Sequence, residues 1–338
     1  TKYGQFALMP TRSGERGEEE WDENKKKEWL IEGFRLKENP MLSDSTRREA
    51  LIKILLQHWP VFSTDGSYGR TELVKHDIVT DNVPPIRMRF RPINPQLEEG
   101  LKQQIEDWMK HDVVELSNSP WSFALVAVKK KNGKIRWCVD YRRLNAITKK
   151  DAHPLPYIED NLARLADSKI FSALDGMGAF HVVELTQTAK AKTAFSTPWG
   201  SYQFKRMPFG LSNGPATYSR LMQLALQGIP TTMCLPYLDD VIVHSHSFAQ
   251  HLHNLDQVLA AHVEAGLKLQ PEKCHLFQRE TQYLGHLVSE KGIRPVPEYV
   301  QIVADWPIPT NRTEVRAFLG KVSYYRRFIP NFATKAKE

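Results

Sequence analysis

Disulfide chemistry has little to work with in this chain. Its 338 residues hold three cysteines, Cys138, Cys234 and Cys274, odd in number and widely separated. They form neither a disulfide framework nor a CxxC metal knuckle, which points to a reducing, intracellular setting. Long apolar runs are also missing. Phe123 to Val128 is among the longest and is far too short to cross a bilayer. Thr1 to Pro10 lacks the apolar stretch of a signal peptide, and no internal repeat is visible. What is present is an ordinary globular balance, 41% hydrophobic and 25% charged, which excludes a fibrous or wholly disordered chain. The length suits about two or three domains.

Charge is less ordinary. The net charge is +7. Between Lys129 and Lys150 nine basic residues face Asp140 alone, and from Asn311 to Glu338 seven basic residues face two acidic ones. Two basic stretches on a slightly acidic body suggest surfaces that meet a polyanion, most simply nucleic acid. Two solvated faces would give the same count, so charge alone does not decide.

Residues 1–40 read as a charged linker, since Arg12 to Glu28 is polar with little to bury. Leu42 to Trp59 suits a helix, with Leu51, Ile54 and Leu55 at helical spacing. Prolines from Val83 to Pro95 mark an extended connector. A second helix follows, capped by Asn94, with Pro95 in its first turn and Leu97, Leu101, Ile105 and Trp108 on one face. Phe123–Lys129 and Lys134–Asp140 read as a hairpin through Asn132-Gly133. Alternation sets Ile135, Trp137 and Val139 on one face and Arg136 with Cys138 on the other. Further on, Ile170–Leu174 is a strand ending at Asp175, and Pro215–Gln227 a helix stopped by Gly228. Cys234–Leu238 and Val241–His244 form a hairpin around Asp239-Asp240. A helix from Phe248 to Ala265, short strands around Lys268, Leu276, Tyr283 and Ile293, and a helix opened by Asn311 with Glu314 complete the reading. Interspersed strands and helices favour an α+β fold.

Two adjacent carboxylates at the tip of an apolar hairpin are costly unless a cation neutralises them. Hard Mg²⁺ takes one or two carboxylates together with substrate phosphates. Asp175 closes another buried strand 64 residues earlier. If the two strands lie side by side, their acids would hold two metal ions about 4 Å apart and suit phosphoryl chemistry.

From Leu42 onward the chain resembles the reverse transcriptases of Ty3/gypsy-type LTR retrotransposons. The resemblance runs through Val126–Asn145, Pro154–Asp160, Phe171–Leu185, Met207–Tyr218, Tyr237–Ser245, Tyr283–Ile293 and Phe318–Phe332, in the family's order and spacing. It implies a right-hand α+β polymerase. Its fingers would be 96–165 and 190–207, its palm 166–189 and 208–290, and its thumb would start at 291–338, with 41–95 as an N-terminal extension. The implied activity is RNA-directed DNA polymerisation, in which deoxynucleotides join a primer 3′-hydroxyl on an RNA or DNA template. Two Mg²⁺ ions would serve as cofactors, with Mn²⁺ as substitute. Implied partners are RNA template, DNA primer/template, dNTPs, and ribonuclease H and integrase domains of the same polyprotein; dimerisation is compatible, and no membrane is involved. The implied location is intracellular, in cytoplasmic virus-like particles and the nucleus.

Carried over by motif, Asp175, Asp239 and Asp240 become the catalytic, metal-binding acids, and Gly176 lends its carbonyl to the metal holding the triphosphate. Lys130 and Arg136 match the cations of the fingers hairpin, although alternation leaves open which of Lys129, Lys130 and Lys131 faces the site. Arg suits phosphate by forking two bonds, Lys by point charge. Ala179, Phe180 and Phe209 fall at nucleotide-binding positions, with Phe180 as a sugar gate excluding a 2′-hydroxyl. Arg142 falls at a template position, and Leu284 and Gly285 match the segment gripping the primer end. Arg316, Lys321, Tyr324, Tyr325, Arg326 and Arg327 match the thumb.

The chain departs from the family at Gly176, where relatives carry a larger apolar residue, at Gly178-Ala179 in place of Ser-Gly, and at Val182 in place of Gln. Two glycines are expected to loosen the turn that holds Asp175. An inactive, retroelement-derived nucleic-acid-binding domain is therefore the alternative reading. His244, His246, His251 and His253 invite a zinc reading, but their spacing and the lack of a supporting cysteine favour solvent-facing or helix-capping roles.

Overall fold

The computed structural model describes residues 21–89, 92–129, 133 and 135–337. At its centre is an antiparallel sheet in the order His275–Gln278, Ile170–Asp175, Asp240–Ser245, Cys234–Tyr237. Both faces of this sheet are covered, which is why its two inner strands read as near-continuous apolar runs. Ile170, Leu174, Val241 and Val243 enter the main core, together with Leu255, Val258 and Leu259 of the helix Phe248–Glu264. Phe171, Leu235 and Ile242 point the other way, onto Leu162, Leu165, Tyr283 and Val288.

His251 ties that helix to the sheet. Its ring nitrogens lie 2.7 Å from Ser172 Oγ and 2.9 Å from Ser245 Oγ, and the Phe277 amide donates to Ser172 Oγ. His244 is equally internal, bridging Ser168 Oγ and the Thr231 carbonyl. These two histidines cap nothing and face no solvent; they satisfy buried hydroxyls and a carbonyl. His246 meets the Asp167 carbonyl, and His253 is exposed.

Around the central sheet stand two three-stranded ones. Val114–Leu116, Gly200–Phe204 and Phe195–Thr197 form one, and the meander Glu280–Tyr283, His286–Ser289, Gly292–Pro295 the other. The hairpin Leu125–Lys129 with Ile135–Val139 has the expected sidedness: Trp137 and Val139 are buried and Arg136 is exposed. Helices Ser45–Gln57, Pro95–Lys110, Gly214–Ala225 and Arg312–Ser323 lie where capping and periodicity put them. Asn94 and Asn311 each accept a backbone N–H of the first turn.

Two further expectations need correction. Residues 23–33, expected within a poorly ordered linker, form a helix. Asp22 caps it, and Trp29 meets Trp59 at 5.3 Å and Trp21 at 6.1 Å between ring centroids, so aromatic burial outweighs the charge of its outer face. Lys268 lies in no strand. Its neighbour Leu269 instead makes isolated bridges to Phe62 and Gly176.

Candidate active site

The sheet register decides where the acids fall. Asp175, last in its strand, is the cross-strand partner of Asp240, first in the next. Asp240 also pairs with Tyr237 on its other side, so Leu238-Asp239 is a two-residue hairpin turn. Leu238 takes a left-handed φ of 54°, a conformation a branched side chain holds only where paired strands enforce it. The three aspartates therefore gather at one end of one strand pair.

Their electrostatics reflect this crowding. Lost hydration raises the Asp175 carboxyl; Lys273 opposes that effect and the Asp239 charge adds to it. Asp240 reaches solvent at the sheet end, yet partial loss of hydration, with the Asp239 and Asp175 charges adding to it, raises its carboxyl to about 6. Among the described residues no three His, Cys, Asp or Glu side chains form a group placed to hold an ion. Instead Asp175 Oδ1 pairs with Lys273 Nζ at 3.2 Å. The Asp175 amide also approaches Cys274 Sγ at 3.2 Å. The donors on offer are thus coupled carboxylates, a set that hard cations complete with phosphate oxygens. Gly176 follows Asp175 with room to spare, since a Cβ there would meet only Tyr218 Oη at 3.5 Å.

Several expected nucleotide-site residues come together. The Arg136 guanidinium lies over the Phe209 ring at 5.6 Å, Phe209 meets Phe180 at 5.1 Å, and Phe180 meets Tyr218 at 5.7 Å. A line of side chains thus joins the hairpin to the turn after Asp175. Ala179 is 5% exposed, its methyl packed in the core, so any ligand contact there runs through its backbone. Lys130 lies outside the described residues. Arg142 is exposed but forms a two-pronged pair with Asp140, at 2.6 and 2.8 Å.

Leu284-Gly285 is a hairpin turn with φ of 45° and 67°, joining strands in which Tyr283 pairs with His286. Tyr324 Oη donates to the Leu284 carbonyl at 2.7 Å, and Tyr325 Oη to the Gly285 carbonyl at 2.8 Å. Arg326 reaches Glu159 at 3.7 Å, and Lys321 lies over Tyr299. Beside these residues a groove of about 1040 Å³ is lined by Tyr157, Tyr237, Tyr324, Arg326 and Arg327.

Three contributors carry no local sequence signal. Lys273 reaches Asp175 across 98 residues. Arg206, 7% exposed, donates to the carbonyls of Gly69, His181 and Asp112. Tyr68 packs on Gly178. Each follows from long-range packing, which spacing does not encode.

Residues 128–288 match the family described as reverse transcriptase (RNA-dependent DNA polymerase). The Pol polyprotein of transposon 297 of Drosophila melanogaster is 39% identical over 272 residues, covering 79% of this chain and 26% of that protein. The gypsy Pol polyprotein from the same organism is 31% identical over 303 residues, covering 88% and 29%. The Tf2-3 polyprotein of Schizosaccharomyces pombe is 33% identical over 243 residues, covering 72% and 18%. The chain thus spans less than a third of each of these relatives. Among solved structures, a foamy viral protease-reverse transcriptase with double-stranded DNA superimposes with a TM-score of 0.81 at 24% identity, covering 93% of this chain and 54% of that one. The same type of protein with an RNA/DNA hybrid gives 0.78 at 23%, covering 93% and 42%.

Proposed function

The chain carries a reverse transcriptase domain of the kind found in gypsy-type retrotransposon Pol polyproteins, with that family's α+β right-hand polymerase fold, and from this we propose that it is an RNA-directed DNA polymerase. It extends a primer 3′-hydroxyl with deoxynucleotides on an RNA or DNA template. The observation that carries this reading is the register opposing Asp175 to Asp240, with Asp239 on the intervening turn. Acids fixed at the end of paired strands cost little reorganisation when charge develops on a transferring phosphoryl group.

Asp175, Asp239 and Asp240, with the Gly176 carbonyl, would hold Mg²⁺ or Mn²⁺. Bound there, such ions would make the primer 3′-hydroxyl, the attacking group, more acidic and would neutralise charge on the leaving pyrophosphate. Lys273 releases or shares Asp175 in that state. Arg136, seated on Phe209, presents its guanidinium to the triphosphate, and Lys130 is assigned beside it. Phe180 lies under the ribose, held between Phe209 and Tyr218. The backbone of Ala179 faces the same sugar. Arg142 is assigned to the template strand and the Leu284-Gly285 turn to the primer end.

The fingers are assigned to 96–165 and 190–207, the palm to 166–189 and 208–290, and the thumb to 291 onward. Among the described residues no helix is long and apolar enough to cross a membrane. Residence in cytoplasmic particles and the nucleus, and joint action with ribonuclease H and integrase domains, complete the proposal. The ion pair between Asp175 and Lys273 favours a second reading, a domain that binds nucleic acid without polymerising. Primer extension on a homopolymer template with Mg²⁺ or Mn²⁺ separates the two. Growth of the primer supports the polymerase; duplex binding without growth supports the alternative.

A further inference from the structure

We propose that Tyr68 is a positioning residue for the turn between Asp175 and Phe180, its ring occupying the space a side chain at position 178 would need. This rests on the polymerase reading above. Gly178 sits at φ 62° and ψ 24°, a left-handed conformation in which glycine alone pays no steric penalty. A Cβ built there would lie 2.2 Å from Tyr68 Cδ1 and 2.3 Å from Cε1, far inside contact distance. The ring cannot easily yield. His111 and His181 meet it edge-on at 5.7 and 5.2 Å.

The backbone carrying Tyr68 is held just as firmly. Residues 63–71 form a strap over the turn. The Ser63 amide donates to the Leu269 carbonyl at 3.2 Å, Arg70 to Gly266 at 2.8 Å and Thr71 to Val182 at 3.0 Å. Lys268 Nζ donates to Ser67 Oγ at 3.0 Å, and Arg206 Nη1 joins the Gly69 and His181 carbonyls at 2.7 and 3.3 Å. Strap and residues 266–269 cross so closely that a Cβ on Gly69 would stand 2.3 Å from the Gly266 carbonyl oxygen. On the far side, the Met177 amide donates to the Lys268 carbonyl at 2.7 Å, so strap, crossing segment and turn form one bonded unit.

Gly178 therefore does not loosen the turn. A glycine free to adopt many conformations is pinned to one by an aromatic ring, and the departure from the family's serine has its compensation 110 residues upstream. What the ring fixes is the path from Asp175 to Phe180, hence the spacing between phosphate and sugar subsites.

A double-mutant cycle in the full chain tests this, using Tyr68→Ala, Gly178→Ser and both together, with Tyr68→Phe as the variant that keeps the ring. Readouts are dNTP KM and kcat in primer extension, the preference for deoxynucleotides over ribonucleotides, and the thermal midpoint. Tyr68→Ala is expected to raise dNTP KM about tenfold and weaken sugar discrimination while kcat changes less. Tyr68→Phe is expected to restore both. Gly178→Ser is expected to be the more damaged single variant, and removing the Tyr68 ring in the double variant to recover part of its loss. Additive losses, or Tyr68→Ala with unaltered KM and sugar preference, overturn the proposal. An unmutated chain that extends no primer overturns the polymerase reading and this inference together, whereas normal extension by Tyr68→Ala overturns this inference alone.

Discussion

Acid should dismantle this fold, and the size of the effect follows from three histidines. His76, His181 and His251 are buried, and loss of hydration lowers them from 6.5 to about 4, about 4 and about 3. Each is neutral in the fold, with partners that a second ring proton would disrupt: Thr217 Oγ1 for His76, the Met207 carbonyl for His181, two serine hydroxyls for His251. Because their folded pKa lies below the unfolded one, the unfolded chain binds more protons as pH falls below 6.5. Their stabilisation is complete above that pH and is lost toward 4. Over that span each contributes about 3 kcal/mol. Asp240, raised to about 6, works in the opposite direction and offsets part of this loss, a part that solvent screening at its exposed position keeps small. The net loss, at least about 6 kcal/mol, rivals the whole stability of an ordinary domain. Urea titrations followed by tryptophan fluorescence at pH 7, 6 and 5 should show falling midpoints, and His251→Leu should flatten the slope by about one proton. Equal stability at pH 7 and pH 5 would refute the reasoning.

Three further outcomes are expected. Phe180→Ala should admit ribonucleotides in a purified extension assay, since the ring between Phe209 and Tyr218 is then gone; an unchanged sugar preference would remove the gate. Tyr325→Phe loses the bond to the Gly285 carbonyl, costing about 1 kcal/mol of thermal stability and, on the proposed primer role of that turn, shortening extension products; unchanged products would remove that role. If the basic stretches contact phosphates, duplex binding weakens linearly in log–log plots against salt, measured by fluorescence anisotropy; a flat plot would place them elsewhere.

Where periodicity and turn chemistry agreed, the sequence was readable. The hairpin from Leu125 to Val139 and the helix Pro95–Lys110 announce themselves through alternation, an Asn cap and a proline in the first turn. The acids were legible because two apolar strands ended on them, although only the register shows that Asp175 opposes Asp240. The first helix was hidden because charge density masked Trp21 and Trp29, whose partner Trp59 lies 38 and 30 residues further on. His244 and His251 misled for a related reason: burial, which spacing does not report, turns a polar ring into a sheet-to-helix tie. Lys273 and Tyr68 act on segments about a hundred residues away, where no local pattern reaches.

The most direct measurement is single-turnover nucleotide incorporation by Asp175→Asn and Asp239→Asn, set beside their duplex binding and thermal midpoints. Retained binding and folding with incorporation reduced at least about a hundredfold is the expected result. Incorporation at the unmutated rate by either variant would contradict it.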